Sequence, residues 1–231
     1  MTGSVAHVLM AALLFVGGHF VLSSQNVRAP LVARLGAWPF RALYSLVALI
    51  TFVWLIWAYA RAPYVALWSP AIGLRWITFV VMPLALFLIV AGYAVSNPTV
   101  VGQEPSLAAQ NPAPAILAIT RHPVMWGIAL WALSHIPPNG DAASLVLFTS
   151  FAVLALGGAA HIDRRRGQDY PGQWQRFTAM TSYLPFAAII QGRNTIKSSE
   201  IGWLPVVLAL VVFVVLLALH RWLLGVSPLP W

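Results

Sequence analysis

Thr120-Arg121-His122-Pro123-Val124-Met125-Trp126-Gly127, continued by Leu130-Trp131-Ala132-Leu133-Ser134-His135, gathers an arginine and two histidines in a chain of which only 8% is charged. How this stretch is read decides the number of membrane crossings. Pro123 suits the first turn of a helix, where its missing N–H would have no partner, so His122 stands at or just before a helix start. Asn139-Gly140-Asp141 then forms a tight polar turn into the next apolar run. The run Pro123–Ile136 is short of the ~20 residues that span hydrocarbon, unless Ala115–Ile119 joins it. Counted as a crossing, it pairs with the following run as a helical hairpin.

The remainder of the chain supports that count. Hydrophobic residues make up 60%, there are 11 Trp and no Cys, and mean hydropathy is +0.82. Such a chain has too little polar surface to dissolve as a monomer. Apolar blocks near Ser4–Val21, Ala42–Ala60, Trp76–Val95, Pro123–Ile136, Ala142–Ala160 and Ile201–Leu219 predict an all-α, polytopic transmembrane bundle of about six helices, one domain over residues 1–231. The first block lacks a basic flank and a small-residue cleavage site, and is expected to be a retained helix. Without cysteine there are no disulfides, thiolate metal sites or cysteine nucleophile.

Six crossings put Arg28, Arg34, Arg41, Arg121, Arg164, Arg165, Arg166, Arg176, Arg193 and Lys197 on one side, and Arg61, Arg75 and Arg221 on the other. The positive-inside tendency then predicts termini on the outer side of a bacterial-type inner membrane. The net charge of +8 is spread over loops beside the bilayer, with no aromatic-interleaved motif, so headgroups rather than nucleic acid are the expected partner. The basic segment 161–200, with Tyr170, Trp174, Phe177, Tyr183 and Phe186 among its arginines, is expected to lie at the interface.

A polar group at membrane depth costs several kcal/mol when unpaired, so the histidines are the candidate site. His161, His220 and His7 fall near block ends and read as interfacial. His19, His122 and His135 remain. Imidazoles from two helices can hold a haem iron or another transition metal. His19 with His135, offset by about 13 Å along the bundle, and His19 with His122 both remain open as pairs. Arg121, and secondarily Arg41, could hold a propionate, because a guanidinium binds a carboxylate with two parallel bonds. No His-x-x-x-His or Glu-x-x-His spacing supports a zinc hydrolase or a di-iron site.

Further stretches carry a family likeness: Gly18-His19-Phe20 with Ser24, Arg34-Leu35-Gly36, Phe40-Arg41-Ala42-Leu43-Tyr44-Ser45-Leu46, Ile119 to Pro123 running on to His135, Asp163-Arg164-Arg165, Thr181 to Ile189, and Gly192-Arg193. Over nearly its whole length the chain resembles the NnrU family of membrane proteins, which includes the 15-cis-ζ-carotene isomerases of plastids and cyanobacteria. The resemblance implies haem b, ligated at positions matching His19 and His135, with His122 also required. A thiolate ligand proposed in the isomerases is not implied here, since Ala132 occupies that region. Two activities follow from the resemblance: nitric oxide or denitrification metabolism with a membrane redox partner, and haem-dependent cis-trans isomerisation of a carotenoid-like polyene, for which Met125, Trp126 and Trp131 would line an apolar slot. A cofactor-free structural or assembly role is the third reading.

Overall fold

Backbone groups in hydrocarbon have no water to pair with, which leaves helices as the economical solution for a spanning chain of this kind. The computed structural model describes residues 3–230, of Ser198 the backbone alone, and among them it is helical without a strand. In chain order the helices are α1 (Val5–Ser23), α2 (Gln25–Leu35), α3 (Ala37–Ala60), α4 (Arg75–Ala94), α5 (Pro123–Asn139), α6 (Ala142–Asp169), α7 (Pro171–Met180), α8 (Ala187–Ile190), α9 (Ser198–Ile201) and α10 (Leu204–Leu224). Helices α1, α3, α4, α6 and α10 have the length and hydropathy to cross a membrane. The 17-residue α5 is the sixth member of the bundle, packed between α4 and α6. Neighbours run α3, α1, α6, α5, α4, α10.

Local chemistry sets the boundaries. Ser4 caps α1 by accepting from the His7 N–H (3.2 Å), and Asp141 caps α6 by accepting from the Ser144 N–H (3.0 Å). Between α5 and α6, Gly140 takes φ +70°, and a Cβ there would lie 2.6 Å from the Trp68 carbonyl oxygen. Helices α4 and α5 approach almost backbone to backbone. A Cβ on Gly127 would sit 2.6 Å from the Ala85 carbonyl oxygen, and one on Gly92 would sit 2.8 Å from Val124.

Helix α5 continues past Ile136 through Pro137 and Pro138 to Asn139. Two prolines remove two helical N–H donors and leave the carbonyls one turn back unpaired. Side chains satisfy the carbonyls of this last turn: Thr78 Oγ1 donates to Ser134 O (2.6 Å), Asn139 Nδ2 to His135 O (2.7 Å) and Trp68 Nε1 to Pro137 O (3.0 Å). Thr78 and Trp68 thus tie the end of α5 to other elements, while Asn139 pairs within the helix.

Two apolar cores result. One joins α1, α3, α5 and α6 through Val8, Phe15, Leu55, Ala132, Leu147 and Phe148. The other lies at the end carrying most of the arginines, where Leu107, Ile116 and Leu117 of the α4–α5 connection pack on Leu88 of α4 and on Trp174 and Phe177 of α7. Buried Arg166 pins this cap by donating to Glu104 (2.7 Å). The segment 161–200 is therefore divided: α6 carries it through His161 to Asp169, and the aromatic side of α7 is buried against protein rather than among headgroups. Helix α2, a weakly apolar element with Pro30 inside, lies between the first two blocks of the sequence reading.

Gly127→Ala should lower the unfolding temperature in detergent by an amount equivalent to about 1–3 kcal/mol, the usual cost of overpacking. Gly17→Ala, where nothing lies within 4 Å, serves as the control and should be neutral.

Candidate functional site

The sequence-predicted residues fall into two groups at opposite ends of the bundle. At the basic end, His122 precedes α5 and is fully buried. Its Nε2–H donates to Asp163 Oδ1 (2.6 Å), while Arg121 Nε donates to Asp163 Oδ2 (2.9 Å). Arg121 also donates from its backbone to Ser182 O (3.0 Å), and Thr120 Oγ1 donates to Tyr183 O (2.9 Å). One carboxylate of α6 therefore gathers the start of α5 and the strap at 181–183. Arg121 gives its Nε to this carboxylate and its Nη1 to Thr181 O (3.4 Å), and His122 Nδ1 is buried without a partner among the described residues. Sequence reasoning missed Asp163 as the partner. The available signal was an isolated acid in Asp163-Arg164-Arg165-Arg166, in a chain with five acidic residues in all.

His19 lies in the last turns of α1. Its Nδ1 donates to Phe15 O (2.7 Å), and its Nε2 has no hydrogen-bond partner among the described residues. The ring meets Phe15 and Tyr44 edge-on, at 4.6 and 5.5 Å between centroids. The crevice it lines, with Gly18, Tyr44 and Val47, holds no water-sized space. Arg41 stands at the start of α3, stacked over Trp38 at 5.4 Å.

His135 lies near the other end of α5. Its Nδ1 donates to Trp131 O (2.7 Å), and its ring stacks on Phe148 at 5.1 Å and 28°. It opens onto a cavity of about 490 Å³ shared with Thr78, Phe79, Met82 and Phe213, within the ~300–1,000 Å³ range of ligand pockets. His220, which the sequence reading takes as an interfacial end, lines the same cavity. Trp131 packs on His135, Phe148 and Phe151, whereas Trp126 turns to the basic end and donates to Tyr183 O (2.9 Å). They do not share one slot.

The donor chemistry of His19 and His135 fits an iron. In each, the Nδ1 proton is fixed on a carbonyl of the same helix, which leaves Nε2 as the free lone pair in the pattern common to metal-binding imidazoles. Space fits only at His135. Between the two rings runs a continuous relay of aromatic contacts, from His19 through Phe15, Phe151 and Trp131 to His135, with centroid separations of 4.6, 5.5, 5.2 and 5.6 Å. The structure therefore does not bring the two histidines into one cavity. Among the described residues there is no group of three or more His, Cys, Asp or Glu that could hold a metal.

Burial pushes the His122 imidazole below its ordinary value of 6.5; the hydrogen bond and charge of Asp163 oppose this, and Arg121 adds to it. For Glu104, burial acts upward but is outweighed by backbone hydrogen bonds and Arg166, which hold the carboxyl below 4.5. In both cases the unfolded chain protonates first. Stability is full above the ordinary value and is lost as pH falls from there through the lower folded value. Thermal unfolding in detergent should therefore weaken in two steps, below 6.5 and again below 4.5, with His122→Gln removing the first and Glu104→Gln the second. Asp163→Ala should cost about 1.5–3 kcal/mol, the usual loss for a hydrogen bond to a charged group, measured by the same melts at neutral pH.

Comparison with known proteins adds two findings. The chain is 35% identical over 81 residues to the chloroplastic 15-cis-zeta-carotene isomerase of Arabidopsis thaliana, covering 35% of this chain and 22% of that protein. To the isomerase of Zea mays it is 37% identical over 79 residues, 34% of this chain and 22% of that one. The match thus spans about a fifth of either relative. No solved structure matches. The family model described as NnrU protein matches residues 7–228, and the chain belongs to the NnrU family.

Proposed function

We propose that this multi-pass membrane protein holds haem b beside His135 and isomerises a cis double bond of a long apolar polyene taken from the bilayer. The observation that carries the reading is the oriented His135 imidazole, with its free Nε2, on the wall of a cavity of about 490 Å³. The stretch shared with two 15-cis-zeta-carotene isomerases supports the substrate class.

Held there by His135, haem b would supply the iron chemistry that lowers the barrier to rotation about a polyene double bond. The protein's own contribution is orientation and exclusion. The Trp131 carbonyl fixes the His135 tautomer and Phe148 holds its ring plane. Thr78 secures the proline-loosened turn that carries the histidine. Phe79, Met82, Phe213, Leu216 and Leu217 give the cavity an apolar wall, which excludes water and favours one shape of an extended conjugated chain. Nitric oxide metabolism, with electrons from a membrane redox partner, is the other activity expected of the family.

Cells that accumulate 15-cis-ζ-carotene in the dark should convert it to the 15-trans isomer when they express this chain, as read by chromatography of the pigments. His135→Ala should slow conversion about tenfold or more without loss of folded protein. An unchanged isomer ratio beside folded, haem-loaded wild-type protein would overturn the proposal.

A further inference from the structure

We propose that Arg165 and Arg28 hold the phosphate group of an anionic phospholipid in the corner between α2, α3 and α6 at the basic end of the bundle. His161, Arg165 and Asp169 recur every four residues and so share one face of α6. Contacts on either side of Arg165 show what that face meets. His161 Nε2 donates to Ser23 O (2.9 Å) at the end of α1, and Gln25 Nε2 at the start of α2 donates to Asp169 Oδ1 (3.0 Å). Arg165 therefore stands on the face turned to the α1–α2 corner, one turn from each contact. Three residues after Gln25, on the same side of α2, Arg28 lies with its guanidinium over the Phe40 ring of α3 (5.9 Å). Tyr44, on the next turn of α3, meets Phe40 at 6.4 Å between centroids. It feels the Arg165 charge, as Arg165 feels that of Arg28.

The chain supplies this corner with cations and no counter-ion. Arg165 Nε is buried without a hydrogen-bond partner, and neither Arg165 nor Arg28 forms an ion pair, among the described residues. All five acids are engaged elsewhere. Glu104 receives Arg166, Asp163 receives Arg121 and His122, Asp169 receives Gln25, Glu200 receives Lys197 and the Ala115 N–H, and Asp141 caps α6 at the opposite end. A guanidinium withdrawn from water without an acceptor is costly, so the acceptor comes from outside the chain. The Tyr44 hydroxyl also has no hydrogen-bond partner among the described residues and can donate to the same anion. Two guanidinium groups and a phenol suit a phosphate, whose oxygens accept several charge-assisted bonds. The position suits a lipid as its source. Helices α1, α3 and α6 reach the edge of the membrane here, and Val21, Leu43 and Leu46 expose apolar surface for acyl chains on the adjoining turns of α1 and α3. Basic pockets between membrane helices bind headgroups in this way.

Titration of the detergent-purified protein with dioleoylphosphatidylglycerol, read by native mass spectrometry, tests the site without haem, so its outcome is independent of the isomerase reading. The wild type should retain this lipid in preference to dioleoylphosphatidylcholine, whose ammonium group is repelled by the same cations. Arg165→Gln and Arg28→Gln should each weaken binding about tenfold, and Arg165→Lys, which keeps the charge but loses the planar fork, should weaken it less. Arg164→Gln, at an exposed neighbour, should leave it unchanged. Arg28→Gln carries the test should Arg165→Gln not fold. Equal losses in all the glutamine variants, or no preference between the two lipids, would reveal diffuse surface attraction and overturn the site. Full displacement by millimolar inorganic phosphate would overturn the lipid assignment in favour of a soluble anion.

Discussion

The Asp163 carboxylate is the interaction on which the geometry of this bundle depends. It is one-fifth exposed, and its two oxygens receive a guanidinium and a fully buried imidazole. Removing one partner of such a group leaves charge or hydrogen-bonding capacity stranded in a low-dielectric interior, which is costlier than never having placed it there. The clamp fixes the start of α5 relative to the far end of α6, and with it the direction in which α5 leaves the basic end. His135 stands 13 residues further along that helix, so the position of the candidate ligand is set at the opposite end of the molecule.

At His135 itself the constraint is different. Pro137 and Pro138 remove two donors from the final turn of α5; Thr78 takes over at Ser134 O, and Trp68 and Asn139 pair further carbonyls of that turn. A helix end of this kind is positioned by several neighbours, so it stays ordered while its backbone is released from regular pairing. Close packing of α4 against α5 through Gly92 and Gly127 supplies the rigid side of the cavity. Helix α10, which packs chiefly on α4, supplies the other.

Much of this was legible in the residues. Apolar blocks marked the six helices of the bundle, because hydrocarbon thickness leaves little choice of length, but α6 runs nine residues past its block into the basic segment, to Asp169. Pro123 and Asn139-Gly140-Asp141 marked the limits of α5 by their backbone chemistry. The α4–α5 connection was not legible as a core, since Leu107, Ile116 and Leu117 sit among Pro, Asn and Gly and acquire meaning only when α7 folds over them. The role of Asp163 depends on a contact across 41 residues, which no local spacing reveals. His220 looked interfacial because Arg221 follows it, yet a helix turns ~100° per residue, and adjacent residues can face headgroups and cavity respectively.

The clamps also have an electrical consequence. Four of the five acids, Glu104, Asp163, Asp169 and Glu200, lie at the end with ten basic side chains, and Asp141 alone lies at the end with three. Asp163 and Glu104 are spent on internal partners, so one face of the protein carries a surplus of six positive charges and the other a surplus of two. Each basic group near a bilayer surface attracts anionic lipid by about 1 kcal/mol. The larger positive surplus therefore stands at the end clamped by Asp163 and Glu104, and the smaller one at the end that carries the cavity.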